Sequence, residues 1–71
     1  MKNFKNLVYT LMSTRGMKTK QLADKVGKTD ANFRAIVSNG NPRKEFLIEI
    51  GNACEMDLAF IDRETGNTYK L

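Results

Sequence analysis

The sequence predicts a mainly α-helical domain: a bundle of four to five helices followed by a short C-terminal β-hairpin. Three observations carry that expectation. Apolar residues recur at helical spacing in four successive segments. Residues that start or stop helices stand at the ends of those segments. Beyond residue 57 the composition shifts to Phe, Ile, Thr and Tyr around a glycine-containing turn, which suits strands. The 71 residues allow one small domain. A chain of that size buries only roughly 60% of its unfolded surface, so its core is thin. A hydrophobic content of 41% is enough for a globular fold.

Phe4, Leu7, Val8, Leu11 and Met12 fall at i, i+3, i+4, i+7 and i+8 and predict a first helix over about 4–15. Asn3 is its expected N-cap and Gly16 its expected left-handed terminator. Leu22, Ala23 and Val26 predict a second helix over about 19–26, with Thr19 as N-cap and Gly27 closing it. Phe33, Ile36 and Val37 predict a third over about 30–38, capped by Thr29 and ended at Asn39-Gly40. Asn41 and Pro42 suit the cap and first position of a fourth, over about 42–54, whose apolar face is Phe46, Leu47, Ile50, Ala53 and Cys54. Gly51 inside that helix costs roughly 1 kcal/mol relative to Ala, which suggests close packing against another helix. The tail reads in two ways. Asp57 could cap a short fifth helix through Ile61, or residues 58–63 and 67–71 could pair across a three-residue loop, Glu64-Thr65-Gly66. The hairpin is preferred.

Composition excludes several classes. No apolar run approaches the ~20 residues of a membrane span, so a membrane location is not expected. Residues 1–6 lead into polar-interrupted sequence, from which no signal peptide is expected, and the expected location is cytoplasmic. One cysteine, Cys54, cannot form an internal disulfide, and with no histidine the usual zinc sites and histidine-based triads cannot be built. Cys54 lies on an apolar helix face, where an inert buried thiol is expected. Met12 and Met17 are expected core fillers. Gly27-Lys28-Thr29 lacks the upstream glycine and strand of a phosphate-binding loop. Glu45 and Glu49 lie one turn apart but read as a solvated face. No enzyme, cofactor, metal or small-molecule ligand is expected.

The net charge of +4 averages two opposed segments. Residues 1–44 hold ten Lys and Arg against Asp24 and Asp30, a net of +8. Residues 45–71 hold Arg63 and Lys70 against six acidic residues, a net of −4. A basic front and an acidic back suggest a polyanion on one side only.

Residues 16–40 are two short helices joined by a tight turn. Two helices that cross steeply need a small residue at the contact, and Ala23 supplies it. The turn needs a backbone that reaches positive φ, and Gly27 supplies that. The outward positions of the third helix are then Asp30, Ala31, Asn32, Arg34, Ala35 and Ser38, a short, polar, mildly basic surface that suits a major groove. Residues 16–29, Gly16-Met17-Lys18-Thr19-Lys20-Gln21-Leu22-Ala23-Asp24-Lys25-Val26-Gly27-Lys28-Thr29, resemble the helix-turn-helix of lambda-repressor/Cro-type regulators. So do Ile36…Asn39-Gly40 and the helix around Phe46–Cys54. The resemblance covers about residues 4–61. Thr19 departs from the usual glutamine of that family, and Val37 stands where many members carry glutamate.

The resemblance implies a lambda-repressor-like bundle and binding to double-stranded operator DNA as a homodimer. It implies that Lys18, Thr19, Lys20, Lys28, Thr29, Asn39, Asn41, Arg43 and Lys44 hold phosphates. Asp30, Ala31, Asn32 and Arg34 are then the base readers, with Arg suited to guanine, Asn to adenine and Ala31 to a thymine methyl. A hairpin tail would offer an edge to a second copy, through Leu58, Phe60, Ile61, Tyr69 and Leu71, as Cro-like C-terminal segments do; otherwise it merely covers the underside of the core. The expected function is a small Cro-like transcriptional repressor. The alternative is a protein-interaction module, antitoxin-like or a partner of another regulator, that reuses the same helices; Asp30 and Val37 favour it.

Overall fold

The computed structural model describes residues 3–71; Lys2, counted in the charge above, lies outside them. Four helices precede a two-stranded sheet: α1 (Phe4–Arg15), α2 (Thr19–Lys25), α3 (Asp30–Asn39), α4 (Lys44–Ala53), β1 (Ala59–Ile61) and β2 (Thr68–Lys70). The chain is thus mainly helical, and Asp57 starts no fifth helix.

Helix ends follow from local chemistry. The Thr29 hydroxyl accepts the backbone N–H of Asn32 at 3.2 Å, so Thr29 caps α3. At α2 the cap differs from the expectation. Lys18, not Thr19, is the extended N-cap residue, and its N–H donates to Gln21 Oε1 at 2.7 Å. The Gln at the third helical position closes the helix end from inside, so no hydroxyl is needed at the cap. Asn3 stands at the N-cap of α1 without a side-chain cap bond. At α4 the expected start is two residues too early. Arg43 has ψ 158°, which is extended, so Asn41 and Pro42 lie outside the helix and Arg43 is its N-cap.

Three helices end in one motif, a left-handed residue followed by an N–H that reaches back five positions. Gly16 (φ 63°) ends α1, with Met17 N–H to the Met12 carbonyl at 2.9 Å. Gly27 (φ 72°) ends α2, with Lys28 N–H to Ala23 at 2.9 Å. After α4 the same role falls to Glu55 (φ 56°), with Met56 N–H to Gly51 at 2.8 Å. That turn explains Gly51. A Cβ there would lie 2.9 Å from the Met56 carbonyl oxygen, so the close neighbour is the chain's own next turn and not another helix.

The core is Phe4, Val8, Met12, Leu22, Ala23, Val26, Phe33, Val37, Phe46, Ile50 and Cys54, with Leu11, Met17, Ile36, Leu47, Ala53 and Met56 packed around it. Leu7, expected inside, is 42% exposed. Phe46 joins three helices: its ring centroid lies 6.2 Å from Phe4 and 5.7 Å from Phe33. Ala23 is fully buried on the packed side of α2, which contacts both α3 and α4.

The strands pair antiparallel in the register Ala59–Lys70, Phe60–Tyr69 and Ile61–Thr68. The loop is one residue longer than expected. Asp62 N–H donates to the Asn67 carbonyl at 2.8 Å, so Arg63–Gly66 form the turn. Asp62 Oδ1 accepts from Glu64 N–H, Thr65 Oγ1 accepts from Asn67 N–H, and Gly66 takes φ 77°. The hairpin does not cover the core's underside, because Phe60, Ile61, Tyr69 and Leu71 are all more than half exposed.

Candidate nucleic-acid interface

Helix α3 presents Phe33 and Val37 inward, with Ile36 half-buried beside them. Ala31, Asn32, Arg34, Ala35 and Ser38 are therefore exposed together on its other side. The Thr29 hydroxyl accepts the Asn32 N–H on one of its two lone pairs, which leaves its proton able to donate to a phosphate.

Two of the expected base readers engage each other. Arg34 Nε donates to Asp30 Oδ2 at 3.0 Å, one turn apart on α3. The pair is exposed and adds little stability. Its effect is geometric: it steers the guanidinium along the helix and leaves the terminal nitrogens free. Asp30 also stands in the first turn of α3, where a carboxylate suits the helix dipole. Its Oδ1 is shielded from solvent without a protein partner.

The expected phosphate ligands fall into two groups on either side of α3. Lys18, Thr19 and Lys20 line one shallow groove with Arg34 and Tyr9. Lys28, Asn39, Asn41 and Arg43 line a second, at the C-terminal end of α3. Glu45 and Glu49 stand in the wall of that second groove, so its charge is mixed. Lys28 is also drawn inward, its Nζ 5.7 Å from the centroid of Phe46, a cation–π contact that ties the ammonium to the core. Lys44 and Thr29 line neither groove. A third groove adds Lys5 and Tyr9 of α1 beside Thr19, Arg34 and Ser38. Sequence reasoning gave those two residues no role. Their i, i+4 spacing beside the apolar stripe of α1 is the signal that could have found them.

Cys54 is 1% exposed. Burial pushes its thiol up, against a smaller pull down from Arg15 and Lys25, so it is no thiolate nucleophile at neutral pH. No group of three or more Cys, Asp or Glu side chains that could hold a metal occurs among the described residues. None of their helices is long and apolar enough to cross a membrane. Comparison with protein-family models, with curated proteins and with solved structures finds no match to this chain.

Proposed function

We propose that this chain is a sequence-specific DNA-binding regulator in which α2 and α3 act as a helix-turn-helix. One observation carries the reading. The exposed row of α3 is made of short or polar side chains, and basic groups flank it on both sides. A helix that enters the major groove needs that arrangement: a slim reading surface between two sets of phosphate ligands. The fully buried Ala23 and left-handed Gly27 suit the close helix contact and tight turn of such a motif. Two copies would place their α3 helices in successive major grooves about 34 Å apart and occlude polymerase. The decisive experiment selects bound duplexes from a random library and then titrates salt. The expected result is a two-fold motif whose log affinity falls linearly with log salt. Absence of retention on any duplex at low salt would overturn the reading.

A second reading, a protein-interaction module, is favoured by Asp30. Its carboxylate holds Arg34 and places a negative charge where phosphates would pass. On this reading the chain shows no salt-sensitive retention on DNA.

A further inference from the structure

The hairpin carries an apolar face that is largely exposed, with only its Leu58 end half-buried. Antiparallel register puts Phe60 opposite Tyr69, and the bond from Leu71 N–H to the Leu58 carbonyl at 2.9 Å puts Leu58 opposite Leu71. Alternation then gathers Leu58, Phe60, Tyr69 and Leu71 on one face of the ribbon. Phe60 is 71%, Tyr69 57% and Leu71 66% exposed. Ala59, Ile61, Thr68 and Lys70 fall on the other face. Of the five residues expected at a dimer contact, four thus share a surface and Ile61 does not.

We propose that this face stacks against the same face of a second copy, hairpin upon hairpin, related by a two-fold axis. The proposal deepens, and in its biological use rests on, the reading of a DNA-bound dimer. Three observations favour a second copy as the occupant. The first is charge. Residues 58–71 hold Asp62 and Glu64 against Arg63 and Lys70, a net of zero, whereas residues 1–44 carry +8. Two copies repel through their basic fronts and meet without repulsion through their hairpins. The second is the chemistry of the face. Lys70 points to the opposite side and pairs with Asp57 at 3.2 Å. The one charge that alternation puts on the apolar face is Asp62, at its turn end, where Oδ1 already accepts the Glu64 N–H. The centre of the face, Phe60 and Tyr69, therefore stacks without desolvating a charge. The third is shape. The molecule measures 40 × 22 × 19 Å, and the strands pack on each other more than on any helix. The hairpin is therefore free to receive a second one.

The mode differs from strand addition at an edge. The bonds at Asp62–Asn67 and Leu58–Leu71 make 58/71, 60/69 and 62/67 the hydrogen-bonded pairs. Ile61 and Thr68 therefore turn their N–H groups outward, to the edges. Face stacking leaves these donors in water, whereas edge pairing engages them. The area is small. The two aromatics expose about 250 Å², and even with the leucines the face stays well below the roughly 800 Å² per partner of a standard interface. The dimer is therefore weak, with a dissociation constant of about micromolar or above.

Sedimentation equilibrium of the full chain without DNA, up to about 1 mM, tests the proposal. A reversible monomer–dimer equilibrium is expected. Phe60→Thr with Tyr69→Thr keeps strand propensity and removes the aromatic face; the dissociation constant should rise at least tenfold. NMR contacts between Ala59 and Lys70 report whether the hairpin survives. Hydrogen exchange on the unaltered chain gives a readout independent of any variant: the Ile61 and Thr68 amides should exchange equally fast in monomer and dimer. Protection of those amides on dimerisation would mean edge pairing and overturn the proposal. So would a monomer at every concentration, which would assign the face to a different protein. Retention on random duplex DNA is measured separately. A monomer that binds DNA overturns the stacked face and leaves the DNA reading standing; a stacked dimer that binds no DNA does the reverse.

Discussion

Arg15 Nε donates to the Cys54 carbonyl at 2.8 Å, joining the last residue of α1 to the end of α4 across thirty-nine positions of sequence. The carbonyl is one of those a helix leaves unsatisfied at its C-terminus, and a cation there also suits the dipole. Arg15→Met keeps the aliphatic stem and removes the donor. It should lower stability by about 1–2 kcal/mol, a loss of several degrees in Tm for a domain of this size. Because the acceptor is neutral, the loss should change little between low and high salt in urea titrations.

The turn after α4 sets two substitutions against their usual signs. Gly51→Ala improves helix propensity by about 1 kcal/mol, yet its Cβ would stand 2.9 Å from a backbone carbonyl oxygen that no side-chain rotation can move. The net change should be destabilising by about 1–2 kcal/mol. Glu55→Gly should do the opposite. Glu55 holds φ 56°, which costs a side-chain-bearing residue about 1 kcal/mol, and glycine removes that strain at some cost in unfolded-state entropy. A gain of about 0.5 kcal/mol is expected in thermal or chemical denaturation.

These two residues also show why some features were legible in the sequence and others were not. Gly16, Gly27 and Thr29 announce helix ends by chemistry local to one or two residues, and α1 and α3 fall within a residue of expectation. Gly51 carries no such local signal, because its neighbour is set by a turn that ends in a left-handed glutamate. The start of α4 departs from the expected position for a related reason. Pro42 is compatible with a first helical turn, but only the extended ψ of Arg43 decides where the helix begins. The outward row of α3 followed from periodicity alone. The pairing of Arg34 with Asp30 needed side-chain geometry, although their i, i+4 spacing permitted it.

Cys54 makes a pH prediction. Burial raises its thiol in the folded chain above its value in the unfolded one. A group raised in this way contributes stability that is fully present below the unfolded thiol's pKa, about 8.5, and is lost as pH rises toward the folded value. Unfolding free energy should therefore fall above about pH 8.5 more steeply for the native chain than for Cys54→Ala, which cannot titrate there. Alkylation at neutral pH should proceed only as fast as the chain opens, and denaturant should accelerate it.

The Asp30–Arg34 pair separates specificity from affinity on the proposed DNA surface. Arg34→Ala should relax base preference at one position of the selected motif and cost about 1–3 kcal/mol on the preferred sequence. Lys20→Ala, beside the groove that Arg34 also lines, should weaken all duplexes alike and reduce the salt slope by about 1. Asp30→Ala tests the pair itself. It removes a negative charge beside the phosphates and releases Arg34 from its 3.0 Å contact. Non-specific affinity should rise and preference at Arg34's position should broaden, because the guanidinium is no longer held along the helix. Folding stability should change by less than about 1 kcal/mol, since both side chains are exposed. If Asp30→Ala instead lowers affinity on the selected duplex while random DNA is unaffected, the carboxylate itself contacts a base, and its role is that of a cytosine reader rather than a positioning partner for Arg34.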